Sequence, residues 1–557
     1  MKQVSDKLLL RFTMAFIYIP VAIWLFTWCG LWIAVPATAA VIYGLYRFTK
    51  DMTGRTDYSL PVLILFCIVL SAVLIKGGHL AIFSQHSDWF KSNAIMTDMA
   101  ERSWPVVYKN GKEEAMLTYY TGIYILPALA GKAFGIGACR YVLFIETILT
   151  ALLIYLNLCR CLRVKSAAQS ALIALCLLIF NLPTVLFEAV QMLLGRFGVR
   201  EAYTTVVNST YLVTWDIPVY EQNWEPLSQG YMYTANMIGE AGFRGMYVAQ
   251  TSFLPHYMIT LITAVWFGNR DKPGSYMFIW VPAALYCSMS LPYAFILVTA
   301  GFIGRLMESR KRFRIIADNI ICAVPAMPLA VYYTGYMLGE KEGGYYALSL
   351  NGTLPMTLLM FMTCALPLFA FSYRKNCEDT LFWLTGLLML LSCVPSYGRF
   401  NDLMITGTIP LVALLLIYTA KTLVRGLDRG LAGYRGRRSS TLCKAALLLF
   451  MAMGTVNATR IYKVNGLKEL AESFQKDLRD AETTYTYADL TERYGIDVKD
   501  SNYKDCDYKF IVDRNGYTYG TMAIFADRDA KCEHDLKYNY FTYDYRGSPF
   551  WNIFARK

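Results

Sequence analysis

The sequence predicts an α-helical polytopic membrane protein of about thirteen spans, followed by a small C-terminal extramembrane α/β domain. Three observations predict this class. Hydrophobic residues make up 56% of the 557 residues and charged residues only 17%, whereas soluble domains carry about 25% charged residues. Apolar runs of roughly 17–22 residues recur, which is the length that crosses a bilayer. Basic residues cluster in the short connections between these runs.

The first apolar run, Leu8 to Trp28, is long enough to span and lacks a small-residue cleavage pattern, so it is predicted to stay as a helix. The net charge of +12 does not indicate a nucleic-acid partner, because the cations lie between apolar runs as orientation signals. The clusters comprise Lys2/Lys7/Arg11, Arg47/Lys50/Arg55, Arg160/Arg163/Lys165, Arg270/Lys272, Arg305/Arg310/Lys311/Arg312/Arg314, Arg374/Lys375 and the run from Lys421 to Lys444.

Lys and Arg accumulate on the cytoplasmic side of membranes, so the basic clusters are predicted to be inside. The N-terminus is then inside and the C-terminus outside. The connections that face outward are 79–139, 188–245, 337–353, 396–402 and everything after about residue 459.

Two segments do not fit a simple alternation of spans. Residues 118–136 have the length of a span but contain Pro127, Gly131 and Lys132, so we expect a helix in the outer interface with its tyrosines at headgroup level. Residues 275–304 lie between two basic clusters and are interrupted at "SMSLP". They are predicted to form a hairpin of two short helices, each below spanning length.

The chain divides into a membrane domain, 1–458, and an extracytoplasmic domain, 459–557. The second part carries charges of both signs, Tyr-rich alternating pieces and turn signals, which predict a helix at about 466–482 followed by a few strands. Most of the fourteen cysteines lie in apolar runs as small hydrophobic residues. Cys506 and Cys532 lie in the polar part, where an oxidising compartment allows a disulfide.

The loop "HSDWFKSNAIMTDMAERSWPVVYKNGKEE" at 86–114 places acids, bases and aromatic rings between apolar segments. No phosphate-binding glycine loop, HExxH, GxSxG or CxxC motif occurs in the sequence. The sequence thus shows no nucleotide-binding motif. If the outer loop belongs to a transferase, that enzyme works outside the membrane, where cytoplasmic nucleotides are not available. A lipid-borne activated substrate is therefore the expected donor.

Asp88-Trp89 in the first outer loop and "YYTGIYILPALAGK" at 119–132 carry a family resemblance. Together with the surrounding architecture, along roughly residues 60–460, the chain resembles the GT-C glycosyltransferases. These polytopic enzymes use polyprenyl-phosphate-linked sugars and include the protein O-mannosyltransferases and lipid A aminoarabinose transferases. The chain departs from the family pattern in having two spans before the span that leads into the catalytic loop, and no paired acid accompanies Asp88.

The resemblance implies inverting transfer of a sugar from a polyprenyl-phosphate donor to an extracytoplasmic glycan, lipid or protein. Asp88 would be the general base, which contributes roughly 10²–10⁴-fold to such a reaction. The alternative role for Asp88 is helix capping. Asp98 and Glu101, three residues apart, are weak candidates for a divalent metal and are better explained as a solvated helix face beside Arg102.

The remaining candidates would bind the donor, and each has a plain structural alternative. His86 would orient substrate or be a polar loop residue, and Trp89, Tyr119 and Tyr120 would contact a sugar or anchor the chain at the interface. The cations would bind the leaving phosphate or reach lipid headgroups. These phosphate candidates are Arg399, with Asp402 as its potential ion-pair partner, and Lys91, Lys132 and His256.

Glu146 lies inside an apolar run, where an ionisable residue suggests function; the sequence names no partner for it. The predicted location is a bacterial inner membrane. The rival functions are a transporter or lipid flippase, and a polysaccharide polymerase or ligase. The flippase reading is weakened because no internal repeat is visible and the polar residues concentrate in outer loops.

The predicted orientation can be checked with reporter fusions. A reporter placed after residue 435 should be active only in the cytoplasm, and one placed after Lys557 only outside, because basic connections stay inside. Cysteine accessibility to a membrane-impermeant reagent at both positions gives an independent measurement. Finding both positions on one side would contradict the orientation.

Overall fold

A computed structural model describes residues 1–76, 78–81, 87–110, 113–179, 255–270, 272, 276–338, 348–350, 354–397 and 402–425, and short pieces of the remainder that include 483–485, 510–512, 518–519, 541–543 and 545–556. It is predominantly helical. Five of the described helices are long and apolar enough to cross a membrane, or six if one bent pair counts as a single span. The helical membrane class is thus supported, whereas the count of about thirteen spans stays a prediction.

The described elements follow each other in a fixed order. The helices are α1 (Asp6–Trp28), α2 (Leu31–Thr49), α3 (Leu60–Lys76), α4 (Ser87–Glu101), α5 (Ile125–Phe134), α6 (Gly137–Leu162), α7 (Ala167–Ile179), α8 (Pro255–Phe267), α9 (Tyr276–Trp280), α10 (Ala283–Tyr286), α11 (Leu291–Glu308), α12 (Arg312–Ala323), α13 (Ala326–Leu338), α14 (Leu354–Met360), α15 (Leu366–Asn376), α16 (Thr380–Leu391), α17 (Asp402–Ile405), α18 (Ile409–Arg425) and α19 (Pro549–Ile553). The strands are β1 (Lys2–Ser5), β2 (Arg55–Tyr58), β3 (Val107–Asn110), β4 (Glu113–Leu117), β5 (Ser349–Leu350), β6 (Pro395–Ser396), β7 (Thr483–Tyr485), β8 (Phe510–Val512), β9 (Thr518–Tyr519) and β10 (Phe541–Tyr543).

The basic clusters that the structure describes meet at one end of the helix bundle, here called the basic end. Strand β1 pairs antiparallel with β2, which brings the starts of α1 and α3 together. The amide of Ser59 donates to Ser170 Oγ over 3.0 Å, which places the start of α7 next to the starts of α1 and α3. Asp318 of α12 accepts from Arg47 of α2 over 2.7 Å. The sequence prediction that these connections share one side is consistent with this geometry.

Asp379 holds a second group of helices at the basic end. Its carboxylate accepts two hydrogen bonds from Arg270, of 3.0 and 2.8 Å, and lies 3.9 Å from Lys421 Nζ. It also caps α16 by accepting from the Leu381 amide. Burial raises the pKa of Asp379, but the Arg270 hydrogen bonds and charge outweigh burial and hold that pKa below its ordinary value.

The opposite end carries a small sheet that joins distant parts of the chain. Strands β3 and β4 form a hairpin, and β10 pairs with the free edge of β4, with Phe541 opposite Leu117. The carbonyl of Phe554 accepts from the Gly30 amide over 2.8 Å, so the last described residues lie over the end of α1.

Aromatic packing fixes α19 in this position. Phe550 is fully buried between Trp24 and Tyr332, with ring centroids 5.9 and 5.1 Å away. Arg546 forms a 2.8 Å ion pair with Glu114 of β4. The C-terminal piece 541–556 is therefore packed against the membrane helices. Whether the predicted domain 459–557 is a separate unit stays a prediction.

The segment 275–304 differs from its prediction. The chain breaks near "SMSLP" as expected, with a 3-10 turn at Ser288–Ser290 after the short helices α9 and α10. The second arm is longer than predicted, because Ser288–Glu308 provides 21 predominantly apolar residues in helical conformation, which is enough to span. Pro292 in the first turn of α11 lacks an amide that would need a partner there, so it begins the helix rather than breaking it.

Two predicted outer connections also meet. Strand β5, from 337–353, pairs with β6, at the edge of 396–402. Cys506 and Cys532, and the helix predicted at 466–482, lie outside the described residues; strands β7, β8 and β9 form an antiparallel sheet within 459–557.

Replacing Asp379 should destabilise the basic end. Asp379→Asn keeps a capping side chain but leaves Arg270, which is half-buried, without its carboxylate, so the free energy of unfolding should fall by about 2 kcal/mol at pH 7. Because the folded-state pKa is lowered, Asp379 stabilises the fold above its ordinary pKa. The difference between the two proteins should therefore shrink as the pH falls below about 4.

Denaturation in mixed micelles measures this difference. The control is Glu308→Gln, which removes the carboxylate of an exposed pair with Arg305 and should cost less than about 1 kcal/mol. Equal losses in the two variants, or a difference that does not change with pH, would contradict the role of Asp379.

Candidate functional site

The predicted catalytic loop folds into a helix whose first turn points into the bundle. Asp88 lies in the first turn of α4. Ser92 Oγ is 3.1 Å from Tyr124 OH, and Ala100 packs against Gly131, so α4 runs parallel to α5. The C-terminal end of α4 reaches the opposite end of the bundle, where Trp104 packs on Trp28 with centroids 5.0 Å apart. The backbone of Asp88 therefore lies deeper in the bundle than Ser92.

Helices α5 and α6 form an antiparallel hairpin that defines this depth. Gly131 contacts Cys139. Tyr124 lies seven residues before Gly131 and Glu146 lies seven residues after Cys139, so the two are at about the same level along the antiparallel pair. Glu146 is the tenth residue of α6, about 14 Å along the axis from the start of the helix. The first turn of α4 thus comes to approximately the depth of Glu146, rather than to the surface of the membrane as expected for Asp88.

Glu146 is buried without hydrogen bonds to its carboxyl group. Only 5% of the residue is exposed, and within the described chain neither carboxyl oxygen has a partner. Its backbone carbonyl accepts from Thr150. Tyr286 lies within electrostatic range of the carboxyl and donates its own hydroxyl to the Ile17 carbonyl over 2.8 Å. A buried carboxyl in this state costs stability, which suggests a role in function.

His256 lies near the same depth on a neighbouring helix. Thr150 of α6 is 3.9 Å from Met258 Sδ of α8, and Cys161 contacts the carbonyl of Ala264, so α6 and α8 run parallel. His256 precedes Met258 by two residues and is buried. The structure therefore brings this predicted residue to the same part of the bundle as Glu146.

The tyrosine segment differs from its prediction. Residues 118–136 do not form one helix: a 3-10 turn at Gly122–Tyr124 precedes α5, which ends at Phe134. Tyr119 is buried and its carbonyl accepts from Tyr333, so it does not face lipid headgroups. Tyr120 is half-buried beside it, with ring centroids 3.6 Å apart. The 3-10 turn packs closely on the Tyr286 ring. A Cβ at Gly122 would lie 2.7 Å from that ring, so only glycine fits at this contact.

Lys132 acts as a cap for α4. Its ammonium donates to the carbonyls of Ala100 and Arg102, over 3.2 and 2.5 Å, and lies 5.2 Å from the Trp104 ring centroid. Burial lowers the pKa of Lys132. These contacts give Lys132 a structural role that the sequence did not predict, since a cation near the end of a helix stabilises its last carbonyls.

The solvated-face prediction is wrong for Asp98 and right for its neighbour Glu101. Asp98 is 1% exposed, whereas Glu101 is exposed. Tyr108 OH donates to Asp98 over 2.8 Å, and Arg102 lies 3.5 Å from the same carboxylate. Because β3 folds back over α4, Asp98 is shielded from water. Among the described residues, no group of three or more His, Cys, Asp or Glu side chains could hold a metal ion.

The other predicted residues are only partly described. His86 and Arg399 lie outside the described residues, as do the side chains of Asp88, Trp89, Lys91 and Asp402. The backbone of Asp402 begins α17, which contacts the Ser288–Ser290 turn that closely follows Tyr286. Tyr286 itself was not predicted, because a tyrosine in an apolar run has no local signal that separates it from core residues.

Removing the Glu146 carboxyl should stabilise the fold. Glu146→Leu replaces an unbonded buried polar group with an apolar one and should raise the free energy of unfolding by about 1–3 kcal/mol. The matched control Glu146→Gln keeps a polar group and should stay close to the wild type. Thermal unfolding in the same micelles compares the three proteins. A Leu variant less stable than the Gln variant would show that the fold requires a polar group at this position.

The chain was also compared with known proteins. No protein family model, curated protein or solved structure matches it. Its function has therefore to be inferred from its own residues and geometry.

Proposed function

We propose that the protein is an integral membrane glycosyltransferase that transfers a sugar from a polyprenyl-phosphate-linked donor to an extracytoplasmic glycan, lipid or protein. The reaction would take place in the half of the bundle that faces away from the basic end. In a bacterial inner membrane, the basic end would be cytoplasmic.

One observation carries this proposal. The first turn of α4, which bears Asp88, is directed into the bundle at about the depth of Glu146, a buried carboxyl that has no hydrogen bond within the described chain. Polar groups at such depth are costly and are usually retained for function. Because α4 brings its first turn to the same part of the bundle as Glu146, this part of the bundle is proposed to receive the phosphate-linked sugar of the donor.

Asp88 is proposed as the general base that accepts the proton of the acceptor hydroxyl. The acceptor oxygen then bonds to the anomeric carbon, and the bond from that carbon to the phosphate oxygen breaks with inversion. Lipid phosphate leaves as a dianion, whose developing charge needs nearby donors. Arg399 is proposed to stabilise this charge. His256, Tyr119 and Tyr120 are proposed to contact the donor. The resemblance to GT-C enzymes agrees with these roles.

A transporter or lipid flippase is the second candidate, because one observation favours it. Glu146 lies in the apolar interior near the broken hairpin of α9, α10 and α11, and transporters place ionisable residues beside interrupted helices. A flippase would move the lipid-linked sugar without breaking its phosphate bond. Product chemistry therefore separates the two functions.

The test measures the release of polyprenyl phosphate from a panel of polyprenyl-phosphate-linked sugars by protein in lipid discs. Asp88→Asn should lower turnover by roughly 10²–10⁴-fold and leave donor binding intact, because Asn keeps the size of the side chain in the first turn of α4 but cannot accept the proton. Arg399→Ala should weaken donor binding, turnover or both.

Asp57→Asn is the control, since Asp57 lies in β2 at the basic end and accepts a hydrogen bond only from exposed Gln3 among the described residues. It should leave turnover unchanged. A fully active Asp88→Asn protein would refute the base. Movement of donor across liposome membranes without release of polyprenyl phosphate would favour the flippase.

A further inference from the structure

The corner between α11 and α12 carries the densest group of exposed cations in the described chain. Arg310, Lys311, Arg312 and Arg314 fall within five residues and all are exposed. The neighbouring Glu308 is paired with Arg305 over 2.9 Å. These four cations, here called the corner cluster, form no ion pair with any described carboxylate.

Within the described ranges, the carboxylates nearest to the corner cluster are already engaged by other groups. Arg314 is the member within electrostatic range of one, Asp318. That carboxylate already accepts hydrogen bonds from Arg47 and Tyr43, of 2.7 and 2.6 Å. The cluster thus keeps a strong positive potential, which favours an anionic partner.

An exposed apolar stripe runs from the corner cluster along α12. Phe313 and Ile320 are 85% and 65% exposed, and Ile316 lies between them on the same face. The other face of α12 is fixed to the bundle through Asp318 and through Asn319, which accepts from the Met277 amide. Helix α13 then leaves at an angle of 53°. A helix with one anchored face, one apolar face and basic residues at its start is typical of a bilayer interface.

We propose that the corner cluster and this stripe bind an anionic phospholipid. The headgroup phosphate would be held by Arg310, Lys311 and Arg312, and an acyl chain would lie along Phe313, Ile316 and Ile320. Charge complementarity selects the headgroup, because zwitterionic lipids lack the net negative charge that attracts four exposed cations without an ion-pair partner among the described carboxylates. The site is independent of the glycosyltransferase proposal.

Binding is measured with the full chain in neutral detergent, titrated with phosphatidylglycerol or phosphatidylcholine and followed by thermal unfolding. Phosphatidylglycerol should raise the unfolding midpoint and phosphatidylcholine should not, and salt should weaken the effect. The double variant Lys311→Gln with Arg312→Gln should bind phosphatidylglycerol roughly 30-fold more weakly, at the usual contribution of each cation near an anionic surface.

The matched control is Arg374→Gln with Lys375→Gln, which removes two cations from the last turn of α15 and should bind like the wild type. Equal stabilisation by the two lipids would overturn the proposal. Equal weakening by the two double variants would also overturn it, since the effect would then come from net charge and not from the corner.

Discussion

The arrangement of the helices depends on one electrostatic constraint: a cation drawn towards an apolar bundle has to meet a carboxylate. Asp379, at the start of α16, forms ion pairs with Arg270, which follows α8, and with Lys421 of α18. It thereby joins these three helices. Asp318 receives Arg47 and joins α2 to α12. Helix register follows from these pairs, because a slip of one residue turns a side chain by about 100° and would leave a charge unmatched. Burial of apolar surface alone would tolerate such slips.

The opposite end combines the Arg546–Glu114 ion pair with hydrogen bonds between neutral groups. Tyr332 donates to the Leu117 carbonyl over 2.6 Å, and the hydroxyls of Thr118 and Thr542 are 2.6 Å apart. Such bonds satisfy backbone and hydroxyl groups without introducing charge. Glu146 differs from these groups, because it is buried in the interior and its carboxyl oxygens have no hydrogen-bond partner within the described chain.

The features that were predictable from sequence are those with a local signal. Basic clusters, apolar runs and the break at "SMSLP" are each visible within a few residues, and the structure agrees with their common side and position. The depth of α4 had no such signal, because it depends on the contact between Ser92 and Tyr124. Asp98 was misjudged for the same reason: helical spacing identifies its neighbour Arg102, but not Tyr108, which reaches it only when β3 folds back.

The pairing of β10 with β4 has a consequence for the order of events during synthesis of the protein. Thr118 and Thr542 are separated by 424 residues, and a ribosome that adds 5–20 residues each second needs roughly 20–85 s to travel between them. Throughout that interval β4 has an open edge, and the aromatic surface of Trp24 and Tyr332 lacks its Phe550 cover. The pairing of β10 with β4 and the packing of Phe550 on Trp24 can therefore form only after these C-terminal segments have been synthesised.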